Sequence, residues 1–173
     1  MVEGFQGDDL AATGTIAACA KHFAGYGAVE GGRDYASANV PENELRNVHL
    51  RPFRAAVETG VASLMTSFSE VDGVPATASR FLLRQVLKEE WGFRGMVVSD
   101  WDSVSEMIDH GFSADERSAA RQALDAGLDM EMISRTFEDH LGELVSSGEI
   151  DDAILDEAVL RIWRVKQRLG LFA

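Results

Sequence analysis

One cysteine, three prolines and four histidines in 173 residues exclude several architectures at once. A lone thiol closes no disulfide within the chain, and with scattered histidines it offers no zinc-ligand spacing. No apolar run approaches the ~20 residues that span a bilayer. The N-terminus lacks a basic segment followed by a hydrophobic one, so no signal peptide is expected, and the compartment is left open. Positive charge is scarce: 16 Lys and Arg stand against 29 Asp and Glu, a formal net charge of −13. Nucleic acid and anionic membrane surfaces repel such a chain at long range, so neither is an expected partner. Gly25 and Gly27 have no third glycine at dinucleotide spacing, and no Gly-Lys-Ser/Thr is present. No cofactor and no metal are expected.

What is present is the balance of a globular domain, 46% hydrophobic and 26% charged. A chain of this length buries roughly 70% of the surface that it exposes when unfolded, enough for a core without staples. Strand-length apolar segments alternate with segments of helical period, the α/β pattern. Strands are predicted over 16–20 (running on through Lys21-His22-Phe23), 61–68, 95–99 and 128–130. Helices are predicted from Pro41 to Gly60 with a kink at Pro52, over about 79–91, through 104–108 and 119–124, and in two C-terminal segments. Asp151 is expected as the N-cap of the last. Four strands, each followed by helix, predict parallel strands with right-handed crossovers in one domain over 1–173. Cys19, in an apolar stretch, is expected as a small buried hydrophobe.

In parallel α/β sheets functional groups gather where strands end and loops begin. That rule selects Lys21 and His22 after the first strand, Phe68 and Ser69 after the second, Asp100 after the third, and Asp129 with Glu131 near the fourth. Trp101 adds a ring of the kind sugars stack upon. Asp100 leaves an apolar run and is expected to meet a pocket at the strand end, near Lys21. Two bland readings stand beside this one. Asp100 or Asp102 serves as a helix N-cap, and Lys21-His22 forms a rim pair without a ligand. Arg33-Asp34 reads as a local ion pair, and His49, His110 and His140 read as helix-surface residues.

Specific motifs go further. Lys21-His22-Phe23-Ala24-Gly25-Tyr26-Gly27, Gly31-Gly32-Arg33-Asp34-Tyr35 and Met65-Thr66-Ser67-Phe68 occur in order. They are followed by Asp72-Gly73-Val74-Pro75, Trp91-Gly92-Phe93-Arg94-Gly95, Ser99-Asp100-Trp101 and Ala126-Gly127-Leu128-Asp129. Together they resemble the family 3 glycoside hydrolases of the β-glucosidase type over nearly the whole chain. The resemblance implies a retaining nucleophile at Asp100. It implies sugar binding by Lys21 and His22, with Arg33, Phe68 and Trp101 completing the expected set, and a β-glucoside or related oligosaccharide as partner. Phe68 stands where some members carry Tyr, and Ser69 where many carry Asn. The family's upstream Asp and Arg and its sandwich-domain general acid Glu have no counterpart here. Full-length relatives are often exported.

The match covers only the second half of the family's (β/α)8 barrel, strands five to eight, whereas a whole barrel needs about 250 residues. The expected fold class is therefore α/β, a half-barrel of about four parallel strands completed by dimerisation. Four open strands expose two edges and one face, and two copies related by a two-fold along the barrel axis restore a closed ring. The expected function is weak or lost glycoside hydrolysis. The alternatives are a catalytically silent assembly module and a weak sugar-binding fragment.

Overall fold

A computed structural model describes residues 1–172. Six strands occur among them: β1 (Cys19–Phe23), β2 (Ser63–Thr66), β3 (Glu70–Val71), β4 (Val74–Pro75), β5 (Met96–Trp101) and β6 (Met130–Met132). Four form one parallel sheet in the order β1-β2-β5-β6, while β3 and β4 make a short antiparallel hairpin above it. Spatial order follows chain order, so each crossover joins neighbouring strands.

Helices cover one face only. Ala18, Leu64, Val97 and Leu128 pack there against Leu45, Leu50, Leu82, Leu83, Val86, Leu87 and Ala123 in the main core. Side chains alternate across a strand, and the opposite face carries Cys19 and Met130, both exposed. The expectation of a buried Cys19 is thereby corrected: it sits on the uncovered face of an edge strand.

Local chemistry explains the boundaries. Helix Glu116–Ala126 starts in a capping box in which Asp115 Oδ1 accepts the Ser118 N–H at 2.7 Å, and it stops at Gly127 with φ 109°. Asp151 caps helix Asp152–Arg168 by accepting the Ala153 N–H at 2.9 Å, as expected. At Gly95 an added Cβ would lie 2.2 Å from the Ala62 carbonyl oxygen, so only glycine lets β5 approach β2 at that point. Arg161, 4% exposed, donates from Nη1 to the carbonyls of Phe93 and Gly95 and clamps the last helix to the start of β5. Gln6 fastens the other end: its Oε1 accepts from Ala18 and Ala62, and its Nε2 donates to Gly60.

Three boundaries move. β1 begins at Cys19, three residues later than the apolar run suggests, and Ile16 stays exposed. β6 begins at Met130, because Leu128 and Asp129 are drawn into the core instead. Pro52 sits in the first turn of helix Arg51–Glu58, directly after a wider turn in which the Leu50 N–H reaches back five residues to Leu45. The missing proline N–H is absorbed by that change of turn.

Candidate active site

Asp100 is next to last in β5 and Trp101 ends the strand. The apolar run before it buries the strand and delivers the carboxylate to the carboxyl rim with 7% of the residue exposed. Its Oδ1 accepts the Trp101 N–H at 2.7 Å. Its Oδ2 is buried without a hydrogen bond and lies 3.4 Å from Nε2 of His22 on β1. Asp100 is therefore not a helix cap. The following helix, Glu106–Asp109, starts after Ser105 without a side-chain cap, and Asp102 accepts the Ser105 hydroxyl at 2.6 Å.

The structure brings His22 and Asp100 together across β2, which separates their strands. The Lys21-His22 peptide is cis. Lys21 is exposed and its ammonium is not paired with Asp100. The His22 ring lies 4.9 Å from that of Tyr26, and the Tyr26 hydroxyl donates to Asp34. The local Arg33-Asp34 pair is thus replaced, and the exposed Arg33 turns back beside Gly31. Phe68 stacks at 4.7 Å on Tyr35. Trp101, 57% exposed, presents its ring to solvent at the same rim.

Asp129 and Glu131 serve structure instead. Asp129 accepts from Lys88 Nζ at 2.8 Å and from the Val97 N–H at 2.7 Å. Burial pushes its carboxyl up and the Lys88 amine down, each held back by the other's charge. Glu131 accepts from the Phe137 N–H at 2.8 Å and the Ser134 hydroxyl at 2.6 Å.

Sequence reasoning missed a second group on the rim. Tyr35, Glu106, Asp109 and His110 line a cavity of about 340 Å³. Glu106 Oε2 is buried without a partner. Burial, then the charges of Asp102, Asp109 and Asp100, push the Glu106 carboxyl up to about 7. His110 is not a bland surface residue, since its Nδ1 lies 3.9 Å from Glu70 Oε2. Glu106 and Asp109, at i, i+3 spacing on one short helix, are neighbours by that spacing, whereas Asp102 lies in the turn before it. Among the described residues no group of His, Cys, Asp or Glu is arranged to hold a metal ion, and no helix is long and apolar enough to cross a membrane.

Parallel strands with helices on one face, and an acid–imidazole pair at the carboxyl end of the strands, have the form of part of a TIM-type barrel. The sequence pattern of the "Glycosyl hydrolase family 3 N terminal domain" matches residues 1–165, and the chain belongs to that family. A periplasmic β-glucosidase of Salmonella typhimurium is 39% identical over 172 residues, which cover 99% of this chain and 22% of the relative. A putative β-xylosidase of Formosa agariphila is 35% identical, covering 99% of this chain and 23% of its own. The β-glucosidase of Listeria innocua superposes with a TM-score of 0.97 at 42% identity, over 99% of this chain and 24% of that one. Its structure is also known in complex with glucose. The chain thus spans about a quarter of the length of these relatives. Only part of the family's barrel is present.

Proposed function

We propose that this rim is the sugar-binding and nucleophile side of a retaining glycosidase that acts on β-glucosides or related oligosaccharides. The observation that carries the reading is the Asp100 carboxylate, buried at the end of β5 with His22 at 3.4 Å. Asp100 forms a bond to the anomeric carbon as the glycosidic C–O bond breaks. Water then releases the sugar and regenerates the carboxylate. His22 and Lys21 are charge-assisted donors to sugar hydroxyls. Arg33 is kept as a sugar-binding candidate from the loop, and Phe68 and Trp101 supply apolar ring faces. The glucose complex of the Listeria relative supports a glucoside, while the Formosa relative keeps a xyloside in play.

The leaving oxygen needs a proton, and acid assistance contributes typically 10²–10⁴-fold. Hydrolysis by residues 1–173 alone is proposed to be weak and to favour leaving groups that need no proton. Residues 1–173 act as a single half-barrel equivalent to strands five to eight, and two copies close the ring. β1 and β6 are the outer strands of the four-stranded sheet, and an unpaired strand edge favours pairing with a further strand; a catalytically silent assembly module is the alternative proposal.

The test uses a 2-deoxy-2-fluoroglucoside with a dinitrophenolate leaving group and intact-mass spectrometry. The wild-type chain gains one fluoroglucosyl adduct, localised to Asp100 by peptide mapping, and Asp100→Ala gains none. Labelling that persists in Asp100→Ala refutes the assignment. Labelling that appears only when the missing barrel half is added selects the assembly module.

A further inference from the structure

Three hydroxyls lie in a row beneath the rim. Thr66 Oγ1 is 3.0 Å from Thr77 Oγ1, which is 3.0 Å from Ser103 Oγ. All three residues are buried, at 0%, 1% and 4% exposure, so none touches a bound sugar. Ala76, Ala78 and Val104, their chain neighbours, are apolar and buried in the main core. A valine at position 77 would occupy nearly the same volume without a polar atom to satisfy. Burying three hydroxyls is tolerable only because each finds a partner. What the hydroxyls add to packing is direction, because a hydrogen bond fixes an angle as well as a distance.

The row joins two parts of the site that are remote in sequence. Thr66 ends β2, two residues before Phe68. Ser103 lies in the turn behind Asp100, where its N–H donates to the Asp100 carbonyl at 3.3 Å. Thr77 belongs to the turn Ala76–Ala78, which the Ala76 N–H ties to the Ser69 carbonyl at 3.1 Å. It is the middle link between the Phe68 wall and the Asp100 turn.

We propose that Thr77 is a positioning residue that holds the Asp100–Ser103 turn in register with the end of β2, so that the Asp100 carboxylate and the Phe68 ring keep a fixed separation. The inference rests on the reading of Asp100 as nucleophile, and part of its test does not. Thr77→Val leaves Thr66 and Ser103 without their shared partner, and the turn relaxes. Thr77→Ser keeps the link.

Three variants of the full chain test this: Thr77→Val, Thr77→Ser and Ser103→Ala, the last removing one end of the row if the valine variant fails to fold. Fluoroglucoside labelling gives the maximal rate and the half-saturating concentration separately. Amide chemical shifts report on Trp101, Asp102 and Ser103. Thr77→Val and Ser103→Ala are expected to lower the maximal labelling rate about tenfold at unchanged half-saturation. They are also expected to move the three amide signals, and Thr77→Ser to restore rate and shifts. A lowered melting temperature with the wild-type rate and unmoved amide signals overturns the proposal, leaving Thr77 merely structural. If the wild-type chain alone takes no label, the amide shifts decide whether Thr77 holds the turn, independently of the nucleophile reading.

Discussion

Glu106 carries an unpartnered oxygen among Asp100, Asp102 and Asp109, beside His110 and Tyr35. A carboxyl raised from 4.5 to about 7 binds a proton in the folded chain that the unfolded chain has released. Stability therefore falls as pH rises through that window and levels off above it. Glu106→Gln, which cannot ionise, is expected to flatten this slope, as read from urea midpoints across the window; an unchanged slope refutes the assignment. At the same scale the strand-end placement of Asp100 and His22 was legible, because the parallel α/β pattern selects the carboxyl ends of strands. Glu106 and Tyr35 were not. Glu106 owes its character to burial and to neighbouring charges, and Tyr35 reaches the site only because a loop folds its ring onto Phe68.

The buried pair between Lys88 and Asp129 joins helix Phe81–Glu90 to the residue just before β6. Their side chains are 6% and 1% exposed, with Arg161 4.0 Å away. Removing Asp129 leaves the buried Lys88 ammonium with only the more distant Glu157 carboxylate, 3.8 Å away. Asp129→Asn is expected to lower the unfolding free energy by ~3–5 kcal/mol. Lys88→Met with Asp129→Asn is expected to lose less, because no lone ammonium remains. Urea unfolding with a constant slope is the measurement, and equal losses in the single and double variants exclude the charge explanation. The β3–β4 hairpin was not foreseen, but the order and type of the four sheet strands could be read from alternating periods. Their ends could not, because a two-residue shift of β6 is set by where Asp129 finds its cation, a long-range fact with no local signature.

For the whole molecule the expectation is a homodimer. Light scattering at micromolar concentration should give twice the 18.9 kDa chain mass, and a monomer at all concentrations excludes ring closure by two copies. A charged residue placed on the uncovered face, Met130→Asp, is expected to shift the equilibrium toward monomer. The sequence pattern pointed to parallel strands, as the four-stranded sheet has them. Which face stays bare became visible only with Cys19 and Met130 in place.

The uncovered margins of the sheet are unlike one another, since the first strand bounds one side and the last bounds the other. Joining like to like would force neighbouring strands to run in opposite senses, so a mate must present its far side to this one's near side, pointing the same way. In the proposed two-copy ring each margin of one sheet meets the opposite margin of the other, so the two seams are alike.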